Sequence, residues 1–521
     1  MILLFEFSYA SNNDLFVPLI HCVLKSDECV GVKFKHQIVK EHNKIKLYIS
    51  SDEAGLSVLS DVLSRRLPHS LFLLDTNVSA LNEGKFLFNE GALSLQIPEI
   101  SNITPVQIQS FLNQKELNCN EFGILSDMRV NGEAVNSANF NSLLTSCLNA
   151  LLDKKSVSLS DKFHSFSVAA GVIFSDSCYI MPTNLKHISR LFIADEAAGV
   201  CLASFEKPLV KLRLSAIYKN AHEGSPKYFH VGLARDIFMY ALCVRLSETG
   251  VDFLSIKASE YFSEPFIAMP CENGSVVCSG EGYLSNVEAD FVKNSDDKNF
   301  ALYALSAYEF GLLKQESSLR VFLSKTRADE VEIVKNGEST RVLRFGTISS
   351  WEEIFSEISR LEGGERLLEN YKKEFSLPSG GLNLKEGFFA IFAMAGLLLG
   401  LSDDMRSAGE AMLELSSEFN ANRGVRIEFK MQSATEFDIA RAIRSVMSFR
   451  LAGAGEKNIA YGLAESLAHF LDEFIANVKN ECSIKLAIGS GSLFANKALL
   501  SLCAKHAGVK FSREYALESG V

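Results

Sequence analysis

The sequence has no lysine- or arginine-rich run in its 521 residues, and its formal net charge is −11. Nucleic acids and anionic membrane surfaces are met by clustered positive charge, so both are poor first readings of this chain. None of its eleven cysteines forms a C-x-x-C pair. Cys22 and Cys29 are seven apart, as are Cys271 and Cys278, which is not a zinc-ligand spacing. Buried or incidental thiols explain them. The ten histidines form no H-x-x-x-H or H-E-x-x-H, so local sequence builds no histidine-rich metal site. The longest apolar run, Gly387 to Leu401, falls short of the about 20 residues that cross a bilayer. Ser402-Asp403-Asp404 closes it, and a buried helix is expected there. The start, Met1 to Phe7, lacks a basic segment and is interrupted by Glu6, so it reads as a first strand and not a signal peptide. Cysteines without a signal peptide suggest a reducing cytoplasm. A cytoplasmic protein with no transmembrane segment and no nucleic-acid partner is the expectation.

What is present is apolar residue, at 47% of the chain, enough to bury sizeable cores. The length suggests about three or four domains. Residues 1–90 read as a small α+β module. Lys44 to Ile49 is a strand, and Ser51 or Asp52 caps a helix with Leu56, Leu59, Val62 and Leu63 at helical spacing, ended by Pro68. Residues 91–225 read as an α/β region, with a strand over Phe166 to Phe174. Residues 226–370 alternate helix and strand: a helix from Val231 to Thr249, then strands at Val251 to Ile256, Leu319 to Leu323 and Val331 to Val334. Glu362 to Gly381 is polar with glycines at both ends and reads as a hinge or linker. Residues 380–521 are mostly helical until the last forty.

Those last residues are the most informative. Ile484 to Ile488 is a buried strand. The loop Gly489-Ser490-Gly491-Ser492-Leu493-Phe494-Ala495-Asn496 follows, then a helix over Lys497 to Lys505 and a strand over Gly508 to Phe511. A strand, a small-residue loop, a helix and a strand bring main-chain N–H groups up to a nucleotide or phosphate. Glycine lets backbone approach such a group closely, and Asn496 can cap the helix or meet a ligand. A tight turn in an ordinary α/β unit explains the same residues. Asp403-Asp404 and the acidic Asp329, Glu330 and Glu332 are metal or acid–base candidates that solvated loop or helix-end carboxylates also explain. Glu465 and His469 share a helix face. Trp351, the only tryptophan, follows Ser349-Ser350 as a helix-start packing residue.

Ser490 to Leu500 resembles the G-G-V-F-x-N-x-x-L-L segment of the HypF-family carbamoyltransferases. Ile459 to Leu467 resembles that family's I-A-x-x-F-H-x-x-L-A-E helix, Gly387 to Gly400 its G-R-L-F-D-A-V-A-A-L-L-G, and Gly409 to Leu415 its E-G-Q-A-A-M-x-L-E. The four segments stand in family order across residues 380–521. Residues 44–74 and the segment Ala203 to Val210 are weaker matches, to the end of the family's acylphosphatase-like module and to its S-P-E-R-P-I-V. The resemblance implies a multidomain α/β chain: a small N-terminal module, a degenerate acylphosphatase-like one, then an actin/hexokinase-like (ASKHA) two-lobed core, with lobes at 226–370 and 380–521. It assigns Gly489, Gly491, Ser492 and Asn496 to a nucleotide, ATP or an adenylate.

The departures are also part of the pattern. The family's H-H-x-x-H run, arginine loop, zinc-finger cysteines and closing D-G-G-I-A-L-G-Q have no counterparts. Its L-F-D-A aspartate falls at Ile391 or Ala393, and its E-G-Q glutamate at Ala408. Only Glu518 is placed to stand in for a metal-holding carboxylate, and the metal is unknown. A metal-bound triphosphate needs such groups. The degenerate pattern is similar to that of HydE-type accessory proteins of nickel–iron hydrogenase maturation, which implies a hydrogenase or its maturation proteins as partners. The expectation is an accessory protein that binds a nucleotide, an adenylate or a partner. The alternative is an active carbamoyltransferase or ATPase with rearranged ligands, Glu410, Glu414 and Glu518, and Cys271 or Cys278 as acceptor thiol.

Overall fold

A computed structural model of the protein describes residues 1–81 and 128–520, apart from 14–15, 42, 137, 162–163, 174–177, 222–225, 262–263, 272–273, 281–283, 347, 383–384 and 422. The end of the expected 1–90 module and the start of the 91–225 region lie outside the described residues. The chain divides into two units, Met1–Ala289 and Asp290–Val521, so the division falls within the segment 226–370.

The first unit opens with β1 (Ile2–Tyr9), α1 (Phe16–Leu24), β2 (Lys35–Glu41), β3 (Lys44–Ser50), α2 (Glu53–Arg66) and β4 (Leu73–Leu81). Alternation puts Phe5, Phe7 and Tyr9 of β1 and Ile45, Leu47 and Ile49 of β3 in the core. The strands lie in the order β2-β3-β1-β4, every neighbouring pair antiparallel. This β-α-β-β-α-β arrangement is the ferredoxin-like split βαβ, and residues 1–81 are the small α+β module. Asp52 caps α2, accepting from the Gly55 N–H at 2.7 Å, and the helix ends before Pro68.

A nine-stranded sheet follows, in the order β10-β11-β12-β9-β13-β8-β7-β5-β6. Its strands are β5 (Arg129–Val130), β6 (Glu133–Ala134), β7 (Val157–Ser160), β8 (His164–Ala170), β9 (Cys178–Pro182), β10 (Phe192–Ile193), β11 (Val210–Leu214), β12 (Tyr228–Val231) and β13 (Phe253–Tyr261). The apolar stripes of α3 (Phe140–Leu152) and α4 (Ile237–Glu248) pack with Phe166, Val168, Leu254 and Ile256. The hairpin β14 (Ile267–Cys271) and β15 (Gly274–Ser279) buries Cys271 and Cys278. The two N-terminal segments that resemble the carbamoyltransferase pattern meet inside this unit. Phe205 N–H donates to the His69 carbonyl at 2.7 Å. The carboxylate of Glu206, fully buried, accepts from Leu71 N–H at 2.9 Å and from the Ser70 hydroxyl.

The second unit carries the six-stranded sheet β19-β18-β17-β16-β20-β21. Here β16 (Ser318–Phe322), β17 (Glu330–Lys335) and β18 (Glu338–Phe345) form an antiparallel meander. The strand β19 is Glu436–Phe437. The strand β20 (Leu486–Ser490) lies parallel to β16, and β21 (Val509–Phe511) parallel to β20. The helix α5 (Lys298–Glu309) sets Phe300 and Tyr303 against buried Arg320 of β16, whose guanidinium pairs with Glu330 at 2.8 Å and Glu332 at 3.2 Å. Those two acidic candidates therefore serve a buried ion pair. Trp351 opens α6 (Trp351–Arg360), capped by Ser350. The expected linker at 362–381 instead contains a helix, α7 (Gly364–Glu374). Leu368 and Tyr371, three apart, bury one side of it; Tyr371 donates to the Leu398 carbonyl at 3.0 Å, and Arg450 stacks on Phe375 at 3.9 Å. Packing overrides the polar composition of that stretch. The apolar run forms α8 (Phe388–Leu399), nearly all buried, against α9 (Met405–Ser416), with α10 (Ile439–Leu451) and the long α11 (Glu456–Cys482) completing the helical layer. Among the described residues no helix is long and apolar enough to cross a membrane.

Candidate functional site

In open α/β sheets ligands bind outside the carboxyl ends of parallel strands. The parallel pair β16 and β20 ends at Phe322 and Ser490, and the loops that leave these ends, 323–329 and 491–496, touch. Leu323 N–H donates to the Ser490 carbonyl at 2.9 Å and Leu493 N–H to the Leu323 carbonyl at 3.0 Å. The strand–loop–helix–strand expected at the C-terminus is present: β20, a short 3-10 turn at Ser492–Phe494, α12 (Lys497–His506) and β21.

The loop glycines have internal reasons to be glycine. Gly491 has φ +102°, and a Cβ there would stand 2.0 Å from the Leu323 carbonyl oxygen. A Cβ on Gly489 would stand 2.3 Å from the Phe511 ring. Gly491 N–H donates to the Leu517 carbonyl at 2.6 Å, and Ser492 N–H to Glu518 Oε2 at 2.5 Å. Phe494 and Ala495 N–H turn back to the carbonyls of Gly491 and Ser492. The amides of 491–495 are thus each bonded within the chain. Asn496 caps α12 by accepting from Leu499 N–H at 2.9 Å, while its Nδ2 donates to the Leu413 carbonyl at 2.6 Å and to Ser417 Oγ at 3.0 Å. It therefore joins α12 to the end of α9.

Glu518 is the centre of this arrangement. It is 1% exposed. Its second carboxylate oxygen accepts from the Ser324 hydroxyl at 2.8 Å. Ser324 Oγ in turn accepts from Thr326 and Arg327 N–H, each at 3.1 Å, and Lys325 N–H donates to Ser492 Oγ at 3.0 Å. Asp329, also buried, accepts from Ser324 N–H at 2.8 Å and, at the start of α8, from Phe388 N–H at 2.7 Å. Two buried carboxyl groups thus hold the 323–329 loop from both sides. On the less buried side Lys325 Nζ pairs with both oxygens of Glu410 at 2.9 and 3.0 Å. Ser490 Oγ is buried without a hydrogen-bond partner in the chain.

Burial, with the Glu518 charge beside it, pushes the Asp329 carboxyl from 3.8 up to about 8, against the lowering effect of its two N–H donors. An acid raised in the folded state contributes stability that is complete below its unfolded value and lost as pH rises through its folded value. The melting temperature is therefore expected to fall between about pH 4 and pH 8, and Asp329→Asn to flatten that slope. A thermal-unfolding series across that range, with an unchanged slope in the variant, would refute the assignment.

Other sequence candidates lie elsewhere. Ile391, Ala393 and Ala408, where the family pattern has carboxylates, are fully buried in helix packing. Asp404 caps α9, accepting from Ser407 N–H at 2.8 Å. Glu465 accepts from Gly424 N–H at 2.9 Å, and His469 faces His506, not Glu465, with rings 4.8 Å apart. Glu410 and Glu518 serve different partners, and among the described residues no group of three His, Cys, Asp or Glu is placed to hold a metal ion. Cys271 and Cys278 are buried. Sequence reasoning missed Ser324 and Lys325. Their signal is a short Ser-Lys-Thr-Arg turn between two strands, at the carboxyl end of the strand that becomes β16.

Residues 390–516 match the model of the HypF carbamoyltransferase Kae1-like domain, second subdomain. Over that segment the chain is similar to the HypF carbamoyltransferases. The HypF-like chain is also similar to Protein HydE of Wolinella succinogenes, 23% identical over 520 residues that cover 93% of each chain. Its fold is similar to that of full-length HypF in a phosphate- and nucleotide-bound form, with a TM-score of 0.57 and 10% identity over 98% of this chain and 96% of that one. It is likewise similar to HypF of T. kodakarensis, with a TM-score of 0.63 and 9% identity over 100% of this chain and 96% of that one. At such identities the two structures speak for the multidomain α/β fold alone.

Proposed function

We propose that this HypF-like protein is an accessory factor in nickel–iron hydrogenase maturation. Its C-terminal half is read as an actin/hexokinase-like core that engages a partner protein, or an adenylate or ATP, without transferring a carbamoyl group by itself. A single observation carries the preference for binding over catalysis. The Ser492 N–H, where an anion would be received, already holds the carboxylate of Glu518, and the neighbouring amides are committed inside the chain. A negative side chain in that place competes with a phosphate. The apolar side chains at 391, 393 and 408 support the same reading, since they supply no oxygen to a cation.

The second reading, an active carbamoyltransferase or ATPase, rests on Lys325 and Arg327. Both lie in the loop beyond β16, Arg327 exposed and Lys325 in part. There they would meet a polyphosphate if Glu410 released the lysine. Gly489, Gly491, Ser492 and Asn496 would then act by shaping the loop.

Deleting the gene should lower hydrogenase activity and leave the large subunit unprocessed on a gel. Normal activity and processing in the deletion strain would end the maturation reading. Calorimetric titration of the purified protein with ATP and Mg²⁺ separates the two biochemical readings. Heat without product supports binding; product formation supports catalysis.

A further inference from the structure

The N-terminal module holds a pair of histidines that the site above does not use. His21 lies in the last turn of α1 and His36 near the start of β2, the edge strand of its sheet. His21 Nδ1 and His36 Nε2 stand 3.3 Å apart, with the rings crossed at 65°. Without an ion the two nitrogens share one proton in a long hydrogen bond, its direction set by the tautomers. Two nitrogens that lie about 2.0–2.1 Å from one tetrahedral ion stand about 3.3–3.4 Å apart, which is the spacing found. The second ring nitrogen of His21 is buried and has no hydrogen-bond partner.

Both rings are held neutral, the form that binds metals. Burial is the main cause for each. For His21, which falls to about 4, His36 and Lys25 add to it. For His36, Lys25 adds to it. Lys25 is exposed, so its ammonium is free to turn into solvent. No third His, Cys, Asp or Glu joins the pair among the described residues, so water completes any coordination sphere there. Imidazole donors suit zinc, copper, nickel and cobalt over magnesium or calcium.

We propose that His21 and His36 form a binding site for one divalent transition-metal ion, held by the two imidazoles and completed by water. An ion held this way exchanges readily with solution, unlike one in a closed four-ligand site.

The test uses the full chain at neutral pH, titrated with zinc chloride by calorimetry and with cobalt chloride by visible spectroscopy. One equivalent of zinc should bind, and cobalt should give the intense d–d bands of a low-symmetry site. His36→Gln should abolish both signals, as should His21→Gln, with the far-UV spectrum unchanged. His36 is on an edge strand, so that variant keeps the test valid even if His21→Gln disturbs α1. The double variant His469→Gln/His506→Gln should bind as the parent does. The proposal is overturned if no ion binds, if binding survives His36→Gln, or if it disappears with the His469/His506 pair.

Discussion

Gly491→Ala should unfold or severely destabilise the C-terminal unit, by more than about 4 kcal/mol. Two effects add. The backbone at 491 has φ +102° and ψ 150°, a region essentially reserved for glycine that costs another residue about 1–3 kcal/mol. The new methyl would also stand 2.0 Å from a main-chain oxygen of Leu323, and this neighbour is pinned by its own bonds to Ser490 and Leu493. Backbone held on both sides cannot give way as a flexible side chain does. Domains are stable by only about 5–15 kcal/mol, so a loss of this size is visible in a urea titration. An alanine variant as stable as the parent would disprove the contact. The same geometry governs how ligand binding at this loop is tested. A bulky residue at 491 removes the fold before it reports on a nucleotide, so loss of affinity in Gly491→Trp would carry no information about the site.

Glu518→Ala should cost about 3–5 kcal/mol. The carboxylate accepts from Ser492 N–H and Ser324 Oγ in the interior, and its removal leaves a buried donor on each of two loops. Each unsatisfied buried donor costs about 1–3 kcal/mol. Glu518→Gln should cost much less, because a neutral amide still offers one acceptor. It should also move the titration of Asp329 toward the ordinary carboxylate range, since the Glu518 charge is one of the causes that raise it. Chemical denaturation of both variants, repeated at acid and neutral pH, measures these effects. If alanine at 518 is as stable as glutamate, Glu518 does not hold the two loops.

Much of the architecture was legible because it is written in short-range pattern. The first strand at Met1 to Phe7, the Asp52 cap, the Pro68 stop and the apolar run at Gly387 each appear as the element expected. The final strand, turn, helix and strand were readable for the same reason. The polar stretch at 362–381 was misread as a linker because Leu368 and Tyr371 are only two apolar anchors. Their worth as a helix face depends on Leu398 and Arg450, which are distant in sequence. The acidic run Asp329 to Glu332 was equally opaque. Composition makes it a solvated patch, yet Glu330 and Glu332 neutralise buried Arg320, and Asp329 receives the first amide of α8.

The sequence by itself determined the helices and strands that carry their own apolar pattern, and that a glycine-bearing loop lies between β20 and α12. Local sterics and periodicity suffice for that, because they act between residues a few positions apart. Only the tertiary structure decided what the loop's amides do. Their partners are Leu323, Leu517 and Glu518, and Glu518 lies 26 residues from Ser492 and 194 from Ser324 along the chain. A hydrogen bond acts over a few ångströms whatever the distance in sequence, so whether a loop offers its N–H groups outward or spends them inward is settled by which distant strand ends the fold brings beside it.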